Sequence, residues 1–485
     1  MDLTLSLVSH TNAGKTTLAR TLLSSDVGEV RDAPHVTEFV SLHELVASPA
    51  GDTLRLADTP GFGDSARLVR RLRLARQPLA ALLAGAWDRW RDRPFWASQQ
   101  ALRHVQAESD VVLYLVNAAE SPQGAAWLAP EMALLTWVDR PVLVLLNQLG
   151  APRSAAEEAA EAQTWRDALA PWPVVHAVLP LDAFARCWVH EATLLAAVQS
   201  VLTGDRAAAM ARLAAAWTAQ REATFAAAMQ ALAESLARCA MAREPLDDEP
   251  GWAERLRRLG AALAQLGDRG PAAQAQARLA LAMQGEVRAS TGRLLALHGL
   301  DGRAEDEILA RIAGQFTLRE RVPEGRAAIV GGAVTGALTG LKADLLSGGL
   351  TLGGGLLAGG LLGALGAAGL ARGINLVRGT GASWVAWSDA ALHQALEAAL
   401  LRYLAVAHFG RGRGEWSAGE APPHWAPAVQ QALLPEHAAL AALWQSRSAR
   451  PEAADDAAAT ARIAAALRPV LERSARAVLR RLYPA

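Results

Sequence analysis

The 485-residue sequence predicts a mostly parallel α/β domain flanked by helices, then a larger, mainly α-helical region interrupted by a Gly-rich apolar hairpin. Three observations carry this reading. Near the N-terminus, an apolar strand pattern runs into a short loop that closes on Gly14-Lys15-Thr16-Thr17. Downstream, further apolar strand-like runs each end in polar residues, the pattern of an open α/β sheet whose strand ends carry ligand-binding loops. Composition does the rest: 52% hydrophobic but only 5% aromatic, with the excess in Ala and Leu, favours helix over sheet beyond that domain.

Length allows about three domains of ordinary size. The 48 basic and 48 acidic residues cancel, so no bulk field draws the molecule to nucleic acid or an anionic membrane. Cys187 and Cys239 are too few for a disulfide scaffold and lack zinc-site spacing, which fits a reducing compartment. The segment MDLTLSLVSH has neither a basic start nor a long apolar run, so no secretory signal is expected and the expected location is cytoplasmic. Only Lys15 and Lys342 are lysines; everywhere else the chain uses arginine, so each lysine calls for a reason.

The first strand spans Leu3 to Val8, and the chain then reads Ser9-His10-Thr11-Asn12-Ala13-Gly14-Lys15-Thr16-Thr17-Leu18. In a phosphate-binding loop the backbone amides wrap the phosphates, an ammonium reaches between the β and γ groups, and a hydroxyl binds Mg²⁺. Lys15 and Thr16 fit those two roles. Ser9 stands where the first Gly of G-x-x-x-x-G-K-[ST] is expected; an ordinary helix N-terminus is the plain alternative. Thr53 to Ala57 read as a strand ending in Asp58-Thr59-Pro60-Gly61-Phe62, where Asp58 can hold the Mg²⁺ shell through water and the Gly61 amide can meet a γ-phosphate. Val142 to Leu146 is a buried-type strand ending in Asn147-Gln148-Leu149-Gly150.

On these motifs the segment from Asp2 to about Thr203 resembles the translation-factor-related P-loop GTPases, especially the Era and tRNA-modification GTPase group, whose first motif contains N-x-G-K-[ST]; Asn12 to Thr16 match it. The resemblance implies a Ras-like fold, GTP and GDP as ligands, and a nucleotide site built from Asn12, Ala13, Gly14, Lys15, Thr16, Thr17, Asp58, Gly61, Asn147 and Gln148. It implies a switch threonine closing on Mg²⁺, for which Thr37 is the best-placed candidate against a solvated loop hydroxyl. Lys15, Thr37 and Gly61 would then serve hydrolysis, with Thr16, Thr37 and Asp58 around the metal. It also implies potassium as a stimulating ion held by Asn12, and it admits a homodimer through the GTP-binding domain.

Two departures bear on this. Gly150 replaces the Asp of N-K-x-D, and a lost charge-assisted contact to the base costs about 1.5 to 3 kcal/mol per hydrogen bond. Asp182 lies near the last base-contacting loop, where an N-cap is its simpler role. Phe62 follows Gly61 where many relatives carry a water-orienting Gln, so hydrolysis needs another switch residue, a monovalent ion or a partner's group. The expected activity is a slow or partner- or potassium-stimulated GTPase; a nucleotide-binding scaffold with negligible turnover or relaxed base choice is the rival, and an Era-like RNA- or ribosome-associated GTPase a further one.

Between Asp64 and Asp110 lie Arg67, Arg70, Arg71, Arg73 and Arg76, then Trp87, Trp90 and Trp96, read either as a state-sensitive partner surface or as a solvated basic face before a Trp-anchored helix. The domain divisions expected are 1–203 for the GTP-binding domain, 204–322 for a helical domain, 323–379 for the Gly-rich hairpin and 380–485 for a C-terminal helical region. From Leu345 to Ala371 there are 27 uncharged residues, 10 of them Gly, preceded by the uncharged Ala327 to Leu341. Glycines repeat at i, i+4, i+8 from Gly332 and again from Gly355, a pattern that lets helix backbones approach. Lys342 and Asp344 mark a turn. Two readings stand: entry into or docking on the inner membrane, with lipid or a membrane protein as partner, or a buried hairpin in a soluble helical domain. Beyond Arg372 helices are expected to resume, with Trp384 and Trp387 as belt or core aromatics. The final helix, Pro451 to Leu482, carries six arginines in helical register, from Arg462 to Arg481. No RNA-binding module follows the nucleotide domain, which weighs against nucleic acid as a partner. The whole resembles bacterial GTPases with a long C-terminal helical domain of unknown function.

Overall fold

The computed structural model describes residues 1–10, 13–23, 40–74, 92–147, 155–181, 188–245, 271–300, 374–378, 383–408, 424–448 and 456–482. These group into two compact units, with the sequence boundary between Glu222 and Ala223.

The first unit contains a six-stranded sheet in the order β2-β3-β1-β4-β5-β6. Its strands are β1 (Asp2–Ser9), β2 (Ser41–Ala47), β3 (Thr53–Asp58), β4 (Val111–Asn117), β5 (Val142–Asn147) and β6 (Val175–Pro180). All neighbours run parallel except β2, which pairs antiparallel with β3 at the edge. Helices α1 (Lys15–Leu23), α2 (Ser65–Leu74), α3 (Arg93–Glu108), α4 (Leu128–Val138), α5 (Ala155–Leu169) and α6 (Trp188–Val201) are interspersed with the strands, α1 following β1, α2 and α3 following β3, and α4, α5 and α6 following β4, β5 and β6. This is the Ras-like P-loop arrangement that the sequence predicts.

Alternation along the central strands divides the core in two. Leu3, Leu5 and Leu7 of β1, with Leu113 and Leu115 of β4, pack against Leu18, Leu194, Val198 and the start of α7 (Gly204–Met241). Val8, Val112, Tyr114 and Val116 face the other way, toward Leu68, Phe95, Leu102 and Leu135. Period-two side-chain direction therefore covers both sheet faces, as a parallel sheet requires. In α3, Asp92 caps the first turn by accepting from the Phe95 amide at 3.2 Å, with Pro94 just inside the helix.

The second unit is mainly helical, with the later part of α7, α8 (Pro271–Leu297), α9 (Asp389–Ala407), α10 (Trp425–Leu433), α11 (His437–Ser448) and α12 (Asp456–Leu482). It also holds a small antiparallel sheet, ordered β7-β9-β8, from β7 (Arg243–Pro245), β8 (Ile374–Arg378) and β9 (Ser383–Trp387). This corrects the expectation that helices resume directly after Arg372. The short alternating run Ile-Asn-Leu-Val-Arg and the aromatic, β-branched Ser-Trp-Val-Ala-Trp pair as a hairpin before α9 begins. Trp387 is a core residue of this unit. Buried Arg447 ties three elements together: its guanidinium donates to the carbonyls of Ala240 and Trp387 and to Asp389. On α12 two of the arginines have partners on other elements of the unit, Arg473 with Glu436 at 2.7 Å and Arg476 over the Phe225 ring at 4.5 Å. Among the described residues no helix is long and apolar enough to cross a membrane. The Gly-rich stretch before Ile374 lies outside the described residues.

Candidate nucleotide site

The site forms where β1 and β3 end against the start of α1. Gly14 adopts φ of 85°, a left-handed conformation that glycine reaches without strain, and its carbonyl accepts the Leu18 amide at 2.9 Å to open the helix. The turn brings Lys15 back over the loop, where its Nζ donates to Ser9 Oγ at 2.8 Å. Ser9, the departure from the glycine pattern, thus supplies the ammonium's acceptor, while its own hydroxyl bonds the His10 carbonyl. Burial pushes the Lys15 pKa down, and the charges of Asp58 and Glu131 oppose that shift.

Asp58 closes β3 beside α1. Its Oδ2 accepts from Thr16 Oγ1 at 2.7 Å, and its Oδ1 is buried with no hydrogen-bond partner. Burial raises the Asp58 pKa against the opposing effects of Thr16 and Lys15. A hydroxyl and a carboxylate together, one carboxylate oxygen unmatched, form a hard oxygen donor set that fits Mg²⁺. Among the described residues no cluster of three or more His, Cys, Asp or Glu offers an alternative metal site.

Gly61 packs tightly against Lys15 and Ser9. A Cβ there would lie 3.2 Å from Lys15 Nζ and 3.2 Å from the Ser9 carbonyl, so the close approach depends on glycine. The Phe62 amide donates to Ser9 O at 3.0 Å, and the Phe62 ring is wholly buried in the α2/α3 core. Ser98 of α3 holds the same segment: its hydroxyl donates to Gly61 O at 3.1 Å and accepts the Gly63 amide at 3.2 Å.

Asn147, fully buried at the end of β5, donates from Nδ2 to the Ala13 carbonyl at 2.7 Å and so ties the base-side strand to the phosphate loop. The structure therefore brings together Ala13, Gly14, Lys15, Thr16, Thr17, Asp58, Gly61 and Asn147. Asn12, Thr37, Gln148, Gly150 and Asp182 lie outside the described residues. Ahead of α3, Arg67 pairs with Asp92 and stacks on Phe95 at 4.0 Å, so part of the basic stretch after Gly61 is engaged within the unit. Sequence reasoning missed Ser98 and the group formed by half-buried His10 with the buried Glu131 and Tyr114; the one signal for the latter was an acidic residue inside the apolar run of α4.

This geometry is that of a P-loop GTPase domain, and the family described as 50S ribosome-binding GTPase matches residues 4–148. The chain belongs to the family described as Domain of unknown function (DUF3482), which matches residues 166–468. Among curated proteins none matches. Solved structures similar to the chain include an Aquifex aeolicus Era variant bound to GDP.AlF4-, at 17% identity and TM-score 0.31, covering 42% of this chain and 58% of that one. Era in complex with MgGDPNP and nucleotides 1506-1542 of 16S ribosomal RNA is similar at 16% identity and TM-score 0.31, with the same coverage. A bacterial selenocysteine-specific elongation factor is similar at 11% identity and TM-score 0.27, over 41% of this chain and 28% of that one. The chain thus spans 58% of the length of the Era structures it matches. The family description names 50S ribosome binding and the second Era structure holds 16S ribosomal RNA, each a property of those proteins.

Proposed function

We propose that the protein is a Mg²⁺-dependent GTP hydrolase whose nucleotide state governs its helical C-terminal region. The observation that carries this is the convergence of Lys15, Thr16, Asp58 and Gly61 on one spot, with Asp58 Oδ1 buried and unmatched. When bound, Mg²⁺ would supply neutralisation of the negative charge on the phosphates. Lys15 swings from Ser9 Oγ to the phosphates, the Thr16 hydroxyl and Asp58 hold the metal shell, Thr37 completes it, and the Gly61 amide meets the γ-phosphate. Asn147 meets the base beside Gln148. The buried Phe62 ring cannot orient water, so the water-positioning group comes from potassium at Asn12, another switch residue or a second subunit. The domain divisions at 203, 322 and 379 stand as part of this reading, as does inner-membrane association of the Gly-rich hairpin. A ribosome-associated role is the second reading, favoured by the family description over residues 4–148.

Single-turnover hydrolysis, run with GTP and ATP and in potassium and sodium, tests the proposal. Phosphate release from GTP, faster in potassium and abolished by Lys15→Ala, is expected. Saturable GTP binding without release in any salt would favour a scaffold instead. Equal affinity for ATP would overturn guanine selectivity. Cell fractionation with high-salt and detergent washes tests the membrane arm, and co-sedimentation with ribosomes tests the second reading.

A further inference from the structure

Glu131 has no exposed surface, in a helix whose other residues are mainly apolar. Its Oε1 lies 2.6 Å from His10 Nδ1, and its Oε2 accepts from the Tyr114 hydroxyl in β4. The His10 ring is stacked on Trp127, with centroids 5.0 Å apart and planes 8° from parallel. His10 directly follows Ser9, so the start of the phosphate loop is held by Glu131 of α4 and by Trp127, while Tyr114 of β4 holds Glu131 in turn. A buried carboxylate whose field reaches Lys15 is at odds with anion binding, because it attracts the ammonium and repels phosphate. His10 is the group placed to offset it.

We infer that His10 and Glu131 are a positioning pair for the phosphate loop, in which the imidazole masks the buried carboxylate and leaves Lys15 free for the nucleotide's β- and γ-phosphates. This rests on the nucleotide site proposed above. Tyr114 fixes the second carboxylate oxygen, and Trp127 restricts ring rotation, so the masking geometry is built before nucleotide arrives.

Equilibrium binding of a fluorescent GDP to the full chain, with thermal unfolding of each variant, tests the pair. His10→Ala should weaken binding about tenfold, and the double variant with Glu131→Gln should return to within about threefold of wild type. Glu131→Gln alone should bind as wild type does, because the amide still offers a donor to His10 and an acceptor to Tyr114. A loop support with no electrostatic role predicts no rescue, and a double variant as weak as His10→Ala overturns the inference. So does an equal loss in Glu131→Gln alone. If the alanine variant does not fold, His10→Gln, with and without Glu131→Gln, repeats the comparison. Absence of guanine-nucleotide binding by wild type would sink the underlying site, whereas wild-type binding without rescue sinks only the pair.

Discussion

Lys15 Nζ donates to Ser9 Oγ at 2.8 Å, so the position where a phosphate loop ordinarily carries glycine gives the waiting ammonium a neutral acceptor. Removing that oxygen leaves a buried cation short of a partner only while the phosphates are absent. Ser9→Ala should therefore destabilise the nucleotide-free chain by about 1 to 3 kcal/mol. With saturating GDP the loss should shrink. Urea unfolding with and without GDP measures both; an equal loss in the two conditions would mean that Lys15 stays on Ser9 in the bound state.

Thr16 and Asp58 lead to a metal prediction. Asp58→Asn keeps an acceptor for Thr16 Oγ1 but removes the charge that burial penalises. The nucleotide-free chain should be at least as stable as wild type, while the tightening of GTP binding by Mg²⁺ should fall about tenfold or more. Titrations in Mg²⁺ and in EDTA check this, and an undiminished Mg²⁺ response would remove Asp58 from the metal shell.

Ser98 is the strap on the segment after Asp58. Ser98→Ala breaks its hydrogen bonds to Gly61 O and from the Gly63 amide. Amide hydrogen exchange across Pro60 to Asp64 should speed up while the protection of β1 and β4 remains. The expected loss of overall stability is about 1 kcal/mol. Unchanged exchange in that segment would show that its position is set by Phe62 burial instead.

Asp52 gives the acid response. Arg212 donates to it from Nε at 2.7 Å and from Nη2 at 3.0 Å, and Ser48 Oγ donates at 2.9 Å. The Arg212 hydrogen bonds, chiefly, hold the Asp52 carboxyl well below the usual carboxylate range. A depressed folded pKa means stabilisation that is complete above the unfolded value and is lost as pH falls through the folded one. Wild type and Arg212→Ala should thus differ most near neutrality, and the difference should shrink progressively as pH falls below about 4. Arg212 is half exposed, so added salt should narrow the difference at every pH. Denaturation midpoints across pH provide the measurement.

Much of the first unit was legible because its parts announce themselves locally. β1, β3 and β5 are strand-like runs ending in Ser9, Asp58 and Asn147, and Gly14-Lys15-Thr16 sits where the first strand stops. β2 was not, because an antiparallel edge strand with a mostly exposed or half-buried pattern carries little hydrophobic signal. β8 and β9 went unread because five-residue runs beside a long apolar stretch look like its continuation. Ser98 and Gly61, or His10 and Glu131, meet only through the tertiary fold, and no spacing rule links residues so distant in sequence.

The pairing of Glu244 in β7 with Val385 in β9 bears on the order in which the emerging chain can acquire structure. The six strands of the first sheet are all present once Pro180 has been synthesised, and their pairings join neighbours in a largely sequential way. The second sheet closes a somewhat longer loop than any pairing of the first, Glu244 to Val385 against Leu5 to Val111, and such distant contacts are slow to form. A chain halted just after Pro180 already has every strand of its first sheet, whereas one halted between β7 and β9 carries β7 without the strand it pairs with.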